Sequence, residues 1–225
     1  MKKVNQNRTL WFVIINAFIF LSTAVVSVMT LSSGTISSQV EIRVTEGWMY
    51  IATFTVLSNL LLGIVAMFGV LYGVRMLRKE TIIPRTLITW YLVAASATML
   101  TTLTVVLFLA PLRAMRGKGY FSLIEGPMFF FHLLSPVLAA VCYVLFAPKT
   151  KLNKNALFLT LVPPAVYGVM YALNVVVLQT WHDFYGFTFG GNNWTVLPVF
   201  AVILLATFGI GALLDYLRCK IRAIS

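Results

Sequence analysis

Six long apolar runs, separated by short polar or basic connectors, set the pattern of the chain. They cover about residues 10–31, 48–74, 86–111, 127–147, 156–179 and 195–217. Each reaches the roughly 20 apolar residues that a helix needs to span a bilayer. Helix is the only structure open to such runs, because lipid offers no partner to an unpaired backbone N–H or C=O. The pattern therefore predicts an all-α polytopic membrane protein: six transmembrane helices forming a single transmembrane domain over residues 1–225. The first run is longer than the roughly 7–15-residue apolar core of a secretory signal, so it is read as a retained helix. Cleavage near Ser27 or Ser33 would leave five spans.

Local residues refine the pattern. Pro163 and Pro164 should kink or break the inner half of the fifth helix. Gly69 and Gly73 form a small-xxx-small pair that predicts close packing of the second helix. Trp48, Trp90, Trp181 and Trp194 fall near helix ends, where interfacial aromatics belong.

Composition supports the same class. Of 225 residues, 60% are hydrophobic and 10% charged, against about 45–50% and about 25% in soluble domains. The net charge of +11 is not gathered into one patch, so nucleic-acid binding is not expected. Instead the basic residues orient the chain. With the N-terminus inside, the inner segments carry Lys2, Lys3, Arg8, Arg75, Arg78, Lys79, Arg85, Lys149, Lys151, Lys154, Arg218, Lys220 and Arg222. The outer segments carry Arg43, Arg113, Arg116 and Lys118. Thirteen against four predicts both termini on the cytoplasmic side of the cytoplasmic membrane.

Several chemistries lack their residues. Cys142 and Cys219 form no disulfide framework and have no Cys/His ligand spacing around them, so neither a metal nor another cofactor is expected. All six acids, Glu41, Glu46, Glu80, Glu125, Asp183 and Asp215, lie in connectors or near helix ends. A proton-coupled carrier usually holds a carboxylate in mid-membrane. No Gly-rich phosphate loop, paired metal-binding histidines or serine elbow is present.

Polar residues inside predicted spans mark a candidate site. Thr55, Ser58 and Asn59 share one face of the second helix, His132 and Ser135 one face of the fourth, and Tyr167, Tyr171 and Asn174 one face of the fifth. Charge-derived orientation puts all three groups at similar depth in the outer leaflet, with Asp183 in the loop above. Thr and Ser often bond only their own helix carbonyls, and Asn59, Asn174 and the tyrosines also suit interhelical packing. His132, an ionisable residue in mid-span, is the strongest functional candidate of the set.

Three stretches resemble a known family: YIATFTVLSNLLL at Tyr50–Leu62, FHLLSPVLAAVCYVLF at Phe131–Phe146 and VPPAVYGVMYAL at Val162–Leu173. In this order they resemble the bacterial Pr6Pr membrane proteins. Those are related to the animal androgen-induced and androgen-dependent (FAR-17a-like) membrane threonine hydrolases. The resemblance implies a hydrolase of lipid esters, such as fatty acid esters of hydroxy fatty acids, with Thr55 as nucleophile and His132 as base. The His132-to-Pro136 spacing is four residues, against five in the animal helix. In the implied reaction Thr55 attacks an acyl ester and His132, neutral at pH 7, takes its proton. Ser58 or Asn59 would donate to the oxyanion, and Asn174 or Asp183 would orient His132. The alternative is a non-enzymatic lipid or small-molecule binding protein, or a facilitative transporter, using the same cavity.

Overall fold

The computed structural model describes residues 2–33, 52–117, 119–148 and 150–224. Among the described residues there is no strand, and six helices are long and apolar enough to cross a membrane. They are α1 (Lys2–Ser33), α2 (Phe54–Leu77), α3 (Arg85–Met115), α4 (Pro127–Phe146), α5 (Ala156–Val177) and α6 (Val196–Ile224). The chain is an all-α polytopic membrane protein, as its apolar runs predict. Residues 48–51 of the expected second span, with Trp48, Glu41, Arg43, Glu46, Lys118 and Lys149, lie outside the described residues.

Apolar side chains cover the outside as well as the core, unlike in a water-soluble bundle, and many hydroxyls lie inside. Leu21, Val28, Leu107, Val166 and Leu205 are exposed on the outside, while Thr23, Ser58, Asn59, Ser96, Thr98 and Thr207 are buried. Lipid tails are as apolar as leucine, so hydrophobic sorting does not drive helix association, and close packing and hydrogen bonds do. Many buried hydroxyls are satisfied within their own helix: Thr30 donates to the Val26 carbonyl, Thr98 to Ala94 and Thr207 to Ile203. This pattern removes most of the cost of holding a hydroxyl in hydrocarbon. α3 is the central helix, with 61% of its most apolar window buried against 17% for α6.

The most extensive helix pairing joins α1 to α2. Thr9, Asn16, Thr23 and Thr30 recur at every seventh position of α1 and are all buried, and so are Phe12, Ile19 and Val26 three positions on. A seven-residue repeat holds one stripe against a partner helix. The partner stripe on α2 is made of glycines. A Cβ on Gly63 would stand 2.8 Å from Thr23, one on Gly69 2.9 Å from Asn16, and one on Gly73 2.5 Å from Val13. The close packing expected of Gly69 and Gly73 is thus with α1.

Prolines shape three helices. In α5 a first turn, Ala156–Leu159, gives way to a second segment, Val162–Ala172, whose first turn holds Pro163 and Pro164. The break falls where a proline's missing N–H leaves nothing unpaired. In α3 the π-turn Val105–Leu109 ends two residues before Pro111, and in α4 the π-turn Phe130–Leu134 ends two residues before Pro136. A proline ring collides with the carbonyl four residues back, here that of Leu107 and of His132, and a widened turn relieves the collision.

At the end of the bundle that holds the C-terminal part of α6, Arg218 is buried. Its Nη2 lies 2.8 Å from Asp215 Oδ1, and its Nη1 donates to the carbonyls of Pro148 (3.3 Å) and Thr150 (3.0 Å). The Tyr143 phenol donates to the same Asp215 oxygen at 3.0 Å, and the guanidinium sits 5.2 Å from the centre of its ring. One cation thereby ties α4, the α4–α5 connector and α6 together.

Candidate ligand-binding site

At the opposite end, the α5–α6 connector folds back onto the bundle around one carboxylate. Asp183 Oδ1 accepts from the Tyr171 phenol (2.5 Å) and the Phe187 N–H (2.9 Å), and Oδ2 accepts from the Thr188 N–H (2.7 Å) and hydroxyl (2.6 Å). Burial alone would raise the pKa of this carboxyl. The donors from Thr188, Tyr171 and Phe187 together outweigh it and hold the group below the ordinary carboxylate value. Around this anchor the rings of Tyr171, Phe184, Tyr185, Phe187 and Phe200 pack with centroids 4.7–6.4 Å apart. The Tyr185 hydroxyl accepts from the Phe54 N–H at 3.0 Å, and the Tyr167 phenol donates to the Ala52 carbonyl at 2.9 Å. Burial pushes the Tyr185 phenol above its ordinary pKa, so it stays protonated.

Beneath this aromatic cap, α2, α3, α5 and α6 enclose a cavity of about 60 Å³. Its lining is apolar except for five hydroxyl-bearing residues: Thr55, Thr101, Thr104, Tyr167 and Tyr185. The α3 wall includes Val105 and Leu109 of the widened turn before Pro111. Thr101 is committed, donating to the Ala97 carbonyl at 3.5 Å and lying 3.4 Å from the Ser58 hydroxyl. Among the described residues, the hydroxyls of Thr55 and Thr104 have no hydrogen-bond partner. Thr55 at the start of α2 and Thr104 on α3 thus present two uncommitted hydroxyls to the cavity from neighbouring helices.

A second space of about 290 Å³ lies between α2 and α5, lined by Leu57, Leu61, Val162, Pro163, Val166 and Met170 among others. Val162 and Val166 are exposed on the lipid-facing side. Phe54 and Tyr167 line both spaces, their rings 5.2 Å apart, and so form the partition between them.

The other expected site residues are distributed as follows. Ser58 donates to the Thr55 carbonyl at 3.1 Å and lines the groove. Asn59 spends both amide hydrogens, on the carbonyls of Thr55 (2.8 Å) and Phe131 (3.1 Å), which leaves none for an oxyanion. His132 and Ser135 of α4 line neither space. Ser135 lies against Ser22 of α1 at 3.4 Å. His132 Nδ1 lies 2.5 Å from the Leu123 carbonyl. A carbonyl only accepts, so Nδ1 carries the proton and Nε2 is the basic nitrogen. The group that orients His132 is therefore Leu123, not Asn174 or Asp183. Asn174 bonds the Met170 carbonyl and the Thr180 hydroxyl, and its own carbonyl accepts from the N–H groups of Thr180 and Trp181, so it closes the end of α5. Among the described residues no hydrogen bond joins Thr55 to His132, and no group of three His, Cys, Asp or Glu side chains could hold a metal ion.

Sequence reasoning missed the α3 wall. Its signal was present: threonines at 98, 101, 102 and 104, followed by Pro111.

No family model, curated protein or solved structure matches this chain. Function therefore has to be read from geometry.

Proposed function

We propose that this protein is a membrane-embedded binding protein for a small lipidic ligand, residing in the cytoplasmic membrane with its termini inside and its aromatic cap outside. The observation that carries this reading is the pair of unpaired hydroxyls, Thr55 and Thr104, in an otherwise apolar cavity. Both residues are half-buried and neither hydroxyl is committed to a protein partner, so a ligand carrying an acceptor or donor can bond both. Ligand sites in helical bundles have this character: mostly apolar walls with a few placed polar groups.

The test is binding of a fluorescent acyl probe to the protein in lipid nanodiscs, before and after Thr55→Val and Thr104→Val. Valine keeps the shape and removes the hydroxyl. Each hydrogen bond to the ligand contributes about 0.5–1.5 kcal/mol, so each variant should weaken binding about three- to tenfold. Unchanged binding in the double variant would refute the reading.

A second reading, the lipid-ester hydrolase with Thr55 as nucleophile and His132 as base, is favoured by one observation. The Leu123 carbonyl fixes the His132 tautomer that leaves Nε2 free to accept a proton. It requires Nε2 to reach the Thr55 hydroxyl in the liganded state. Turnover of a long-chain ester that disappears in both Thr55→Ala and His132→Ala would establish it; turnover surviving both substitutions would end it.

A further inference from the structure

The lining of the two spaces restricts which lipid fits. We propose that the ligand is a single-chain amphiphile with an uncharged polar head, a hydroxyl, ester or ketone, whose tail lies in the α2–α5 groove. This rests on the binding reading above and narrows it.

Three observations carry it. First, none of the residues lining the cavity or the groove is charged. A carboxylate, sulfate or ammonium head would enter a low-dielectric space with no counter-charge, which is strongly unfavourable. A neutral oxygen needs only one or two hydrogen bonds, and Thr55 and Thr104 supply them. Second, the larger space is apolar and faces the bilayer, with Val166 exposed at its mouth and Leu57 and Leu61 behind. Its shape and chemistry match an acyl or isoprenoid chain arriving sideways from the surrounding lipid, where such molecules are concentrated. Third, the route from water is obstructed. The cap is held down by the four donors on Asp183 and by the Tyr185 contact with α2, whereas the rings of Phe54 and Tyr167 border both groove and cavity. Ring rotation is a small motion compared with lifting the cap.

Displacement of a neutral probe, a fluorescent monoacylglycerol, from the full chain in nanodiscs separates the possibilities. The competitors share one chain length: dodecanol, methyl laurate, dodecyl sulfate and dodecyltrimethylammonium. We expect the two neutral molecules to displace the probe at least tenfold more effectively than the two permanently charged ones. Val166→Trp, a substitution at an exposed position that does not disturb packing, should fill the groove and weaken the probe at least fivefold. Charged competitors that match the neutral ones would overturn the uncharged-head assignment while leaving the binding reading intact. Normal probe affinity in Val166→Trp would overturn the placement of the tail. Failure of every amphiphile, probe included, would overturn both this inference and the binding reading on which it rests.

Discussion

The hydroxyl of Tyr185 lies 3.0 Å from the backbone nitrogen of Phe54, the first residue of α2, across 131 positions of sequence. The first N–H groups of a helix have no partner within it, and Thr53, at the position before α2, offers no side-chain cap. A loop tyrosine does the work that a serine or aspartate usually does, and in doing so it fastens the cap to the helix that carries Thr55.

Tyr185→Phe should therefore loosen the cap without altering its ring packing. Loss of one neutral hydrogen bond corresponds to about 1 kcal/mol, with faster proteolytic cleavage of the α5–α6 connector than in the parent. Equal cleavage rates and equal melting temperatures would show the bond to be dispensable.

Asp183 makes the cap sensitive to acid. Its folded carboxyl titrates below the ordinary value of an unfolded chain, so its stabilising effect is complete above about pH 4. That effect is lost as pH falls through the depressed folded value. The melting temperature in detergent should drop on acidification below about pH 4, and more steeply than in Asp183→Asn. The variant, with an amide that offers only one acceptor oxygen, should melt lower than the parent at pH 7.

The glycines of α2 and α6 allow a paired comparison. Gly69→Leu places a side chain where Asn16 already stands, and overpacking of this kind costs about 1–3 kcal/mol or more. Gly209, by contrast, has nothing within 4 Å of an added Cβ, so Gly209→Leu should leave stability within about 0.5 kcal/mol of the parent. Thermal unfolding of both in one detergent gives the answer; equal effects would contradict the packing described for α1 and α2.

Arg218→Ala should be more damaging than its place near the C-terminus suggests. It leaves Asp215 with the Tyr143 hydroxyl alone and takes the donor from two connector carbonyls. Because Asp215 is partly exposed, the cost falls toward the lower end of the about 3–5 kcal/mol of a buried pair. Arg218→Lys should rescue little, because a single ammonium does not reproduce the guanidinium's contacts to Asp215, Pro148 and Thr150. Full rescue by lysine would show charge alone to be sufficient.

The spans were legible because hydrophobic length is a property of consecutive residues. The predicted ends of α3 and α4 fall within four residues of those observed, and the paired prolines foretold the break in α5. The α1 repeat was equally present in the sequence, yet Thr9, Asn16, Thr23 and Thr30 look unexceptional until the glycines opposite them are known. At the site, Thr55 was identified from its polar face, and Tyr167 from its neighbourhood in α5. Thr104 was not, since nothing local to α3 says which of its threonines has lost a carbonyl partner. Pairing Thr55 with His132 rested on equal depth, and depth does not fix the azimuth of a side chain around its helix. Azimuth depends on neighbours, and Ser135 shows α4 turning this face toward α1.

The seven-residue stripe of α1 seated on the glycines of α2 also bears on how the molecule is made. These two helices are adjacent in the chain and find their main contacts in each other. A hairpin of this kind can assemble in the bilayer while the remaining four spans are still being synthesised, seating Asn16 against Gly69 before Cys142 of α4 arrives to complete its surroundings. Damage at Gly63 or Gly69 would then act at birth, diverting nascent chains to quality-control proteases rather than yielding a finished protein of lower melting point.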